Sequence, residues 1–222
     1  MKNLNILKSK EANNFFSRNK GYYKKFRNDS KLINLIQQTK IKAKNILEIG
    51  CADGNKIFQY KKILRSKNVY GVDLSAKAIN FGKKKYKNIK LLELSSLEID
   101  KIKINFDLIV CGFFLYTLDR EEIFNQFNLI YKKLNKNGFL IIEDFDPLFK
   151  HTNQSIHNEN LQSFKMSYDK FLEETGLFKV IYKIKYSYPI LKKRDNKKFK
   201  SNDVSLTLFK KIDFKKNYPE NI

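Results

Sequence analysis

The chain has 222 residues and carries 45 lysines and arginines against 23 aspartates and glutamates, for a formal net charge of +22. That length suits one domain able to bury a core unaided, and two cysteines, Cys51 and Cys111, make a disulfide scaffold untenable and suit a reducing cytoplasm. With no apolar run near the roughly 18 residues of a membrane span and no cleavable apolar leader, a soluble and cytoplasmic protein is expected.

Residues 1 to 43 read as mostly helical, with Leu32, Ile33, Leu35 and Ile36 forming an apolar side after a Ser30 cap. This part is expected to be a lid or collar, followed by one domain over residues 44 to 213 and a tail over 214 to 222. The first core strand, Ile46-Leu47-Glu48-Ile49, runs into Gly50-Cys51-Ala52-Asp53-Gly54. Residues this small let backbone approach a ligand. The Glu48 carboxylate argues against a pyrophosphate, which needs exposed amides without nearby negative charge, and favours a cation.

A helix carrying Ile57, Phe58, Ile63 and Leu64 follows, and then a second strand, Val69-Tyr70-Gly71-Val72-Asp73. Asp73 lies at the distance beyond the turn where an acid accepts hydrogen bonds from ribose hydroxyls, with Leu74 beside it. Another helix starts near Ser75 with Ala78 and Ile79 inward. The third strand, Ile89 to Leu94, ends at Ser95. The fourth, Phe106 to Gly112, is apolar throughout, as a parallel strand covered on both faces should be, and carries Cys111 at its exit.

Asp119 and Glu122 have capping-box spacing ahead of a stripe of Ile123, Phe127, Ile130, Tyr131 and Leu134. Asn135 to Gly138 reads as a turn into a fifth strand, Phe139 to Glu143. Leu161, Phe164, Tyr168, Phe171 and Leu172 recur at helical spacing. Val180 to Tyr188 and Val204 to Leu208 alternate as two strands of a hairpin on one sheet edge.

From residue 44 to 145, and more weakly to 209, this order and its motifs resemble class I S-adenosylmethionine-dependent methyltransferases. The resemblance implies an α/β, Rossmann-like seven-stranded mixed sheet with helices on both faces and an antiparallel C-terminal hairpin. S-adenosyl-L-methionine is then the expected cofactor, with Glu48, Gly50, Cys51, Ala52 and Gly54 on its methionine side. Asp73 would sit at the ribose and Ser95 at the adenine amino group, with Leu74 and Cys111 as further cofactor-binding residues. Ala52 replaces the middle glycine of many members, and Ser95 an aspartate, so the bond to the adenine amino group would be weaker. Ala12 to Lys20 resembles cofactor-covering N-terminal segments, with Phe16 and Arg18 as candidate wall residues; an amphipathic helix packed on the sheet is the alternative.

Catalytic groups in open α/β sheets come from loops after the strands. Methyl transfer to a hydroxyl profits from a base, and His151 and His157 both follow the fifth strand. Residues 143 to 168 resemble a methyltransferase group associated with surface-sugar and polysaccharide biosynthesis, which implies that Asp144, Asp146, His157 and Lys165 line the acceptor side. For the two aspartates, a turn before Pro147 and a divalent-metal pair are alternatives; no metal is expected.

Phe113, Phe114 and Tyr116 are candidate pocket walls, or core. The reading is methyl transfer to a small-molecule or saccharide-type acceptor, at oxygen. An RNA or DNA methyltransferase, or a non-catalytic basic module binding nucleic acid, is the alternative. Lys83, Lys84, Lys85 and Lys87, and the cluster from Lys192 to Lys200, are either its footprint or part of a chain-wide compositional bias.

Overall fold

A computed structural model of the chain describes residues 2–25, 31–187 and 203–213. Its centre is a seven-stranded sheet made of β1 (Asn45–Ile49), β2 (Asn68–Asp73), β3 (Lys90–Glu93), β4 (Phe106–Gly112), β5 (Leu134–Phe145), β8 (Phe178–Ser187) and β9 (Asp203–Lys211). The strand order is β3-β2-β1-β4-β5-β9-β8. The first five strands are parallel, and β9 runs antiparallel to both β5 and β8. The fold class expected from the sequence is therefore the one observed. A separate two-stranded antiparallel sheet pairs β6 (His151–Ser155) with β7 (Asn158–Lys165).

Both faces of the sheet are covered because successive residues of a strand point to opposite sides. Ile46, Leu108, Val110 and Ile141 pack under α3 (Lys31–Gln38) and α4 (Asn55–Leu64), which contribute Leu32, Ile36, Ile57 and Tyr60. Leu47, Ile49, Ile109 and Ile142 pack against α6 (Ile123–Lys133) and α7 (Asp169–Glu174) through Phe127, Ile130 and Leu172. Along α5 (Ala76–Lys85), Ala78 and Ile79 are buried, and the Ser75 hydroxyl caps the helix by accepting from the Ala78 amide. The N-terminal part is helical, as α1 (Asn3–Ile6), a π-helical turn (Leu7–Glu11) and α2 (Ala12–Lys25).

Three local expectations are corrected. The helix expected over 161 to 172 is instead strand β7 and the short α7. Asn158 and Asn160 favour local side-chain bonds over helix, the Asn160 amide donating to Asn158 Oδ1, and the segment finds a strand partner in β6. No capping box forms at Asp119. Its carboxylate instead accepts from the Asn3 and Leu4 amides (3.0 and 3.2 Å), a partner 115 residues away that local spacing cannot reveal. Asn135 to Gly138 is a bulged stretch within β5, with Asn137 left-handed (φ 60°), and the ladder resumes at Leu108–Phe139. The Ser30 cap, Tyr188, the lysine cluster from Lys192 to Lys200 and the 214–222 tail lie outside the described residues.

Candidate active site

The carboxyl ends of β1 and β2 are stitched together. Gly50 and Cys51 both donate their amides to the Val72 carbonyl (2.9 and 3.0 Å). The Ala52 amide donates to Asp73 Oδ2 and the Ser75 amide to Asp73 Oδ1, each at 2.8 Å. Gly50 and Gly54 are left-handed (φ 73° and 76°), and neither has room for a side chain: a Cβ would lie 2.8 Å from Phe114 Cβ and 2.7 Å from Leu91 Cδ2 respectively. Ala52 is left-handed as well (φ 48°), a conformation that costs an L-residue roughly 1 kcal/mol. Burial pushes the Asp73 carboxyl up, and the Ser75 and Ala52 amides pull it back.

Glu48 is buried on the α4 side, and its Oε2 has no hydrogen-bond partner. Burial is the main reason its carboxyl is pushed up to about 8; Lys56 and the Ile57 amide lower it, while Asp53 and Asp73 add to the rise. The buried Tyr60 hydroxyl close by is likewise unpartnered. Glu143, buried at the end of β5, accepts from the Tyr186 hydroxyl (2.5 Å) and faces Lys56 Nζ at 3.4 Å.

On the other side of the exits stands an aromatic cluster. Phe113 is left-handed (φ 54°), unusual for a bulky residue and a mark of a constrained site. Its ring and that of Tyr116 meet Phe145 edge-on at 5.9 and 5.2 Å. Lys165 Nζ lies 4.2 Å from the Phe145 ring centroid. Asp144 is buried below, accepting from the Phe145 amide (2.7 Å) and the Tyr116 amide (3.3 Å); burial raises its carboxyl to about 7 against the pull of these amides.

The other candidate groups are dispersed. Asp146 is committed to ion pairs, with Lys183 at 2.9 Å and Lys185 at 4.0 Å, and Lys183 also holds Asp169. His157 occupies the exposed turn between β6 and β7. His151 begins β6 opposite Lys165, and one of its ring nitrogens, Nδ1, lies 2.9 Å from the Phe149 carbonyl. Cys51 and Cys111 are both buried, and burial raises their thiols far above the usual range. Ser95 is buried and Leu74 half-buried. The Ser95 hydroxyl accepts from the Leu97 amide (3.3 Å) while Glu98 accepts from the Ser95 amide (3.4 Å), a capping box its S-x-x-E spacing announces.

Sequence reasoning expected a helical lid or collar here but missed the two asparagines that fasten it. Asn3 is buried and donates its side-chain amide to the Thr117 and Gln162 carbonyls (2.9 and 2.7 Å). Further on, Asn13 Oδ1 accepts from the Ser75 hydroxyl and the Lys77 amide, both at 2.9 Å. Phe16 is buried against Phe81, and Arg18 pairs with the buried Glu11. The segment therefore straps from the β4 exit to the β2 exit. Tyr60 and Lys56 were also missed; both lie on α4, and the Lys56 charge favours the ionised form of Glu48.

These residues suit a cationic nucleoside. Glu48 Oε2 lacks a donor that a cation would supply, acids at Asp53 and Asp73 add negative potential, and a Cβ built on Gly112 would find nothing nearer than Lys56 Nζ at 3.8 Å.

A family model described as a methyltransferase domain matches residues 40–201. An uncharacterized protein of Rickettsia prowazekii (strain Madrid E) is 31% identical over 145 residues, 61% of this chain and 58% of that protein, so the match spans under two thirds of the relative's length. In fold the chain is similar to the 1,6-didemethyltoxoflavin-N1-methyltransferase of Burkholderia thailandensis, with TM-score 0.63, 13% identity, and 90% and 88% of the two chains covered. It is similar also to the O-methyltransferase of a trans-AT PKS multienzyme of Brevibacillus brevis, with TM-score 0.60, 13% identity, and 82% and 75% covered.

Proposed function

We propose, from the premise that this chain belongs to the methyltransferase domain family, that it transfers a methyl group from S-adenosyl-L-methionine to oxygen of a small-molecule acceptor, with saccharide-type hydroxyls the substrate class. The observation that carries the reading is the buried, half-unpartnered Glu48 carboxylate under a turn with two glycines. S-adenosyl-L-methionine, when bound, supplies an electrophilic methyl on a sulfonium, for which the protein need only align the reacting atoms.

Glu48 compensates the positive charge of the methionine end, and Gly50, Cys51, Ala52 and Gly54 give it backbone access. Asp73 Oδ1 and Oδ2 each accept one amide and retain a lone pair for a ribose hydroxyl. Leu74, Ser95 and Cys111 complete the nucleoside side. Phe113, Tyr116 and Phe145 wall the acceptor, and Asp144, held near the neutral range, is the group suited to take the hydroxyl proton. His157, on an exposed turn, contributes to acceptor docking, and Asp146 keeps β8 in place through Lys183. The strap from Asn3 to Asn13 excludes water and limits the acceptor's size.

Supplying methyl-labelled S-adenosyl-L-methionine with a panel of sugars, nucleotide sugars, phenols and RNA tests the reading. Label in a hydroxyl of a small compound supports it. Label in RNA alone, or no calorimetric binding of S-adenosyl-L-homocysteine, rejects it.

A further inference from the structure

Among the described residues strand β3 forms one edge of the sheet, and a groove of about 570 Å³ runs beside it. Its floor is the Tyr70 ring with Leu92, Leu94 and Ile102, and its walls carry Lys83, Lys101 and Lys103. Lys90, at the start of the same strand, donates to the Tyr70 hydroxyl (3.0 Å) with its Nζ 5.0 Å from the ring centroid. Four lysines from α5, β3 and the 101–103 segment thus surround one half-buried aromatic, against Glu93 in the lining and Glu98, which is paired with Lys101. The buried Lys133 donates its Nζ to the Ile102 carbonyl (2.5 Å), which holds the segment carrying Lys101 and Lys103.

We propose that this groove binds single-stranded RNA, independently of the methyl-transfer reading. Dispersed cations follow a phosphodiester backbone, whereas a lone phosphate calls for donors converging on one point. An aromatic among apolar side chains gives bases a surface to stack on, the second requirement of single-strand binding without sequence preference. The apolar residues are recessed between the lysines, which suits a strand lying in a channel and not a lipid surface, where apolar groups must protrude. Excess positive charge over the whole chain would speed the encounter.

The test is fluorescence anisotropy of a labelled 12-nucleotide RNA with the full chain at several salt concentrations. Two triple variants are compared with wild type: Lys83→Ala/Lys90→Ala/Lys103→Ala in the groove and Lys42→Ala/Lys67→Ala/Lys179→Ala at exposed lysines elsewhere. The groove variant should raise Kd at least tenfold and flatten the salt dependence by about 2, since each phosphate contact to a single strand contributes roughly 0.7. The control variant should stay within about twofold of wild type. Both should bind S-adenosyl-L-homocysteine as wild type does, which separates this proposal from the cofactor reading. Equal losses in the two variants, no RNA binding by wild type at 0.1 M salt, or groove-dependent binding of anionic lipid vesicles without RNA binding would each overturn it.

Discussion

The backbone amide of Ala52 donates to the Asp73 carboxylate at 2.8 Å, so the turn after β1 is shaped by the last residue of β2. Asp73 therefore has two tasks: it orders the turn through Ala52 and the next helix through Ser75, and it presents its remaining lone pairs at the strand exits.

Replacing Asp73 with alanine should act on both. Two amides lose their acceptor, at about 1–3 kcal/mol each where burial keeps water out. Calorimetry should show at least a tenfold loss in affinity for S-adenosyl-L-homocysteine, and thermal unfolding a lower Tm. Asp73→Asn keeps one acceptor oxygen and should recover part of the stability while remaining weak in binding. Unchanged affinity in both variants would remove Asp73 from the site.

If Glu48 faces the cofactor as proposed, cofactor affinity should depend on pH. The Glu48 carboxyl is raised to about 8 in the folded chain, above its usual value near 4.5. Between those values the folded state holds a proton that the unfolded state has released, so this group's contribution to stability falls as pH rises through that window. A bound cation favours the ionised form. Affinity for S-adenosyl-L-homocysteine, whose methionine part bears an ammonium, should therefore rise from pH 6 to 8, with proton release visible as a buffer-dependent calorimetric enthalpy. Glu48→Gln should abolish that slope and raise the Tm of the ligand-free protein at pH 8.5.

The acceptor side divides by role. Asp144→Asn should lower kcat by about 10²–10⁴, the usual weight of a general base, with little change in cofactor affinity. The wild-type kcat profile should rise through the neutral range, following the carboxyl raised to about 7. His157→Ala should raise KM for the acceptor and leave kcat near wild type, because its turn is exposed. A collapse of kcat in His157→Ala with normal turnover in Asp144→Asn would reverse the two assignments.

Ala52→Gly should be tolerated or stabilising. Ala52 holds φ 48° with a methyl group attached, and glycine removes that steric cost, set against some added freedom in the unfolded chain. A gain of up to about 1 kcal/mol in denaturant unfolding is expected, with cofactor affinity preserved. A loss of stability would mean that the methyl group packs usefully enough to outweigh its strain.

Legibility from sequence followed the range of the interactions. The strands on either side of Gly50 and Gly54, Asp73 at the exit of β2, and the inward stripe of α6 depend on neighbours in the chain, and periodicity exposes them. The seven-stranded mixed sheet with its antiparallel C-terminal hairpin agreed with the resemblance. What failed depended on distant partners. Asp119 has capping-box spacing, but the amides it accepts belong to Asn3 and Leu4. Leu161 and Phe164 have helical spacing, but the strand beside them makes extended backbone the better paired state. At Ser95 the S-x-x-E spacing of a capping box is local, yet the sequence reading took this residue only as an adenine-side group. The separation of Asp144 from Asp146 was beyond sequence as well, because only the fold brings Lys183 to Asp146 and Tyr116 to Asp144.

The N-terminal segment is latched at two places, Asn3 on the β4 side and Asn13 on the β2 side, with the π-helical turn Leu7–Glu11 between them. Undoing the Asn3 latch gives up a handful of hydrogen bonds while Asn13 stays fastened, so one end of the segment can let go without the other.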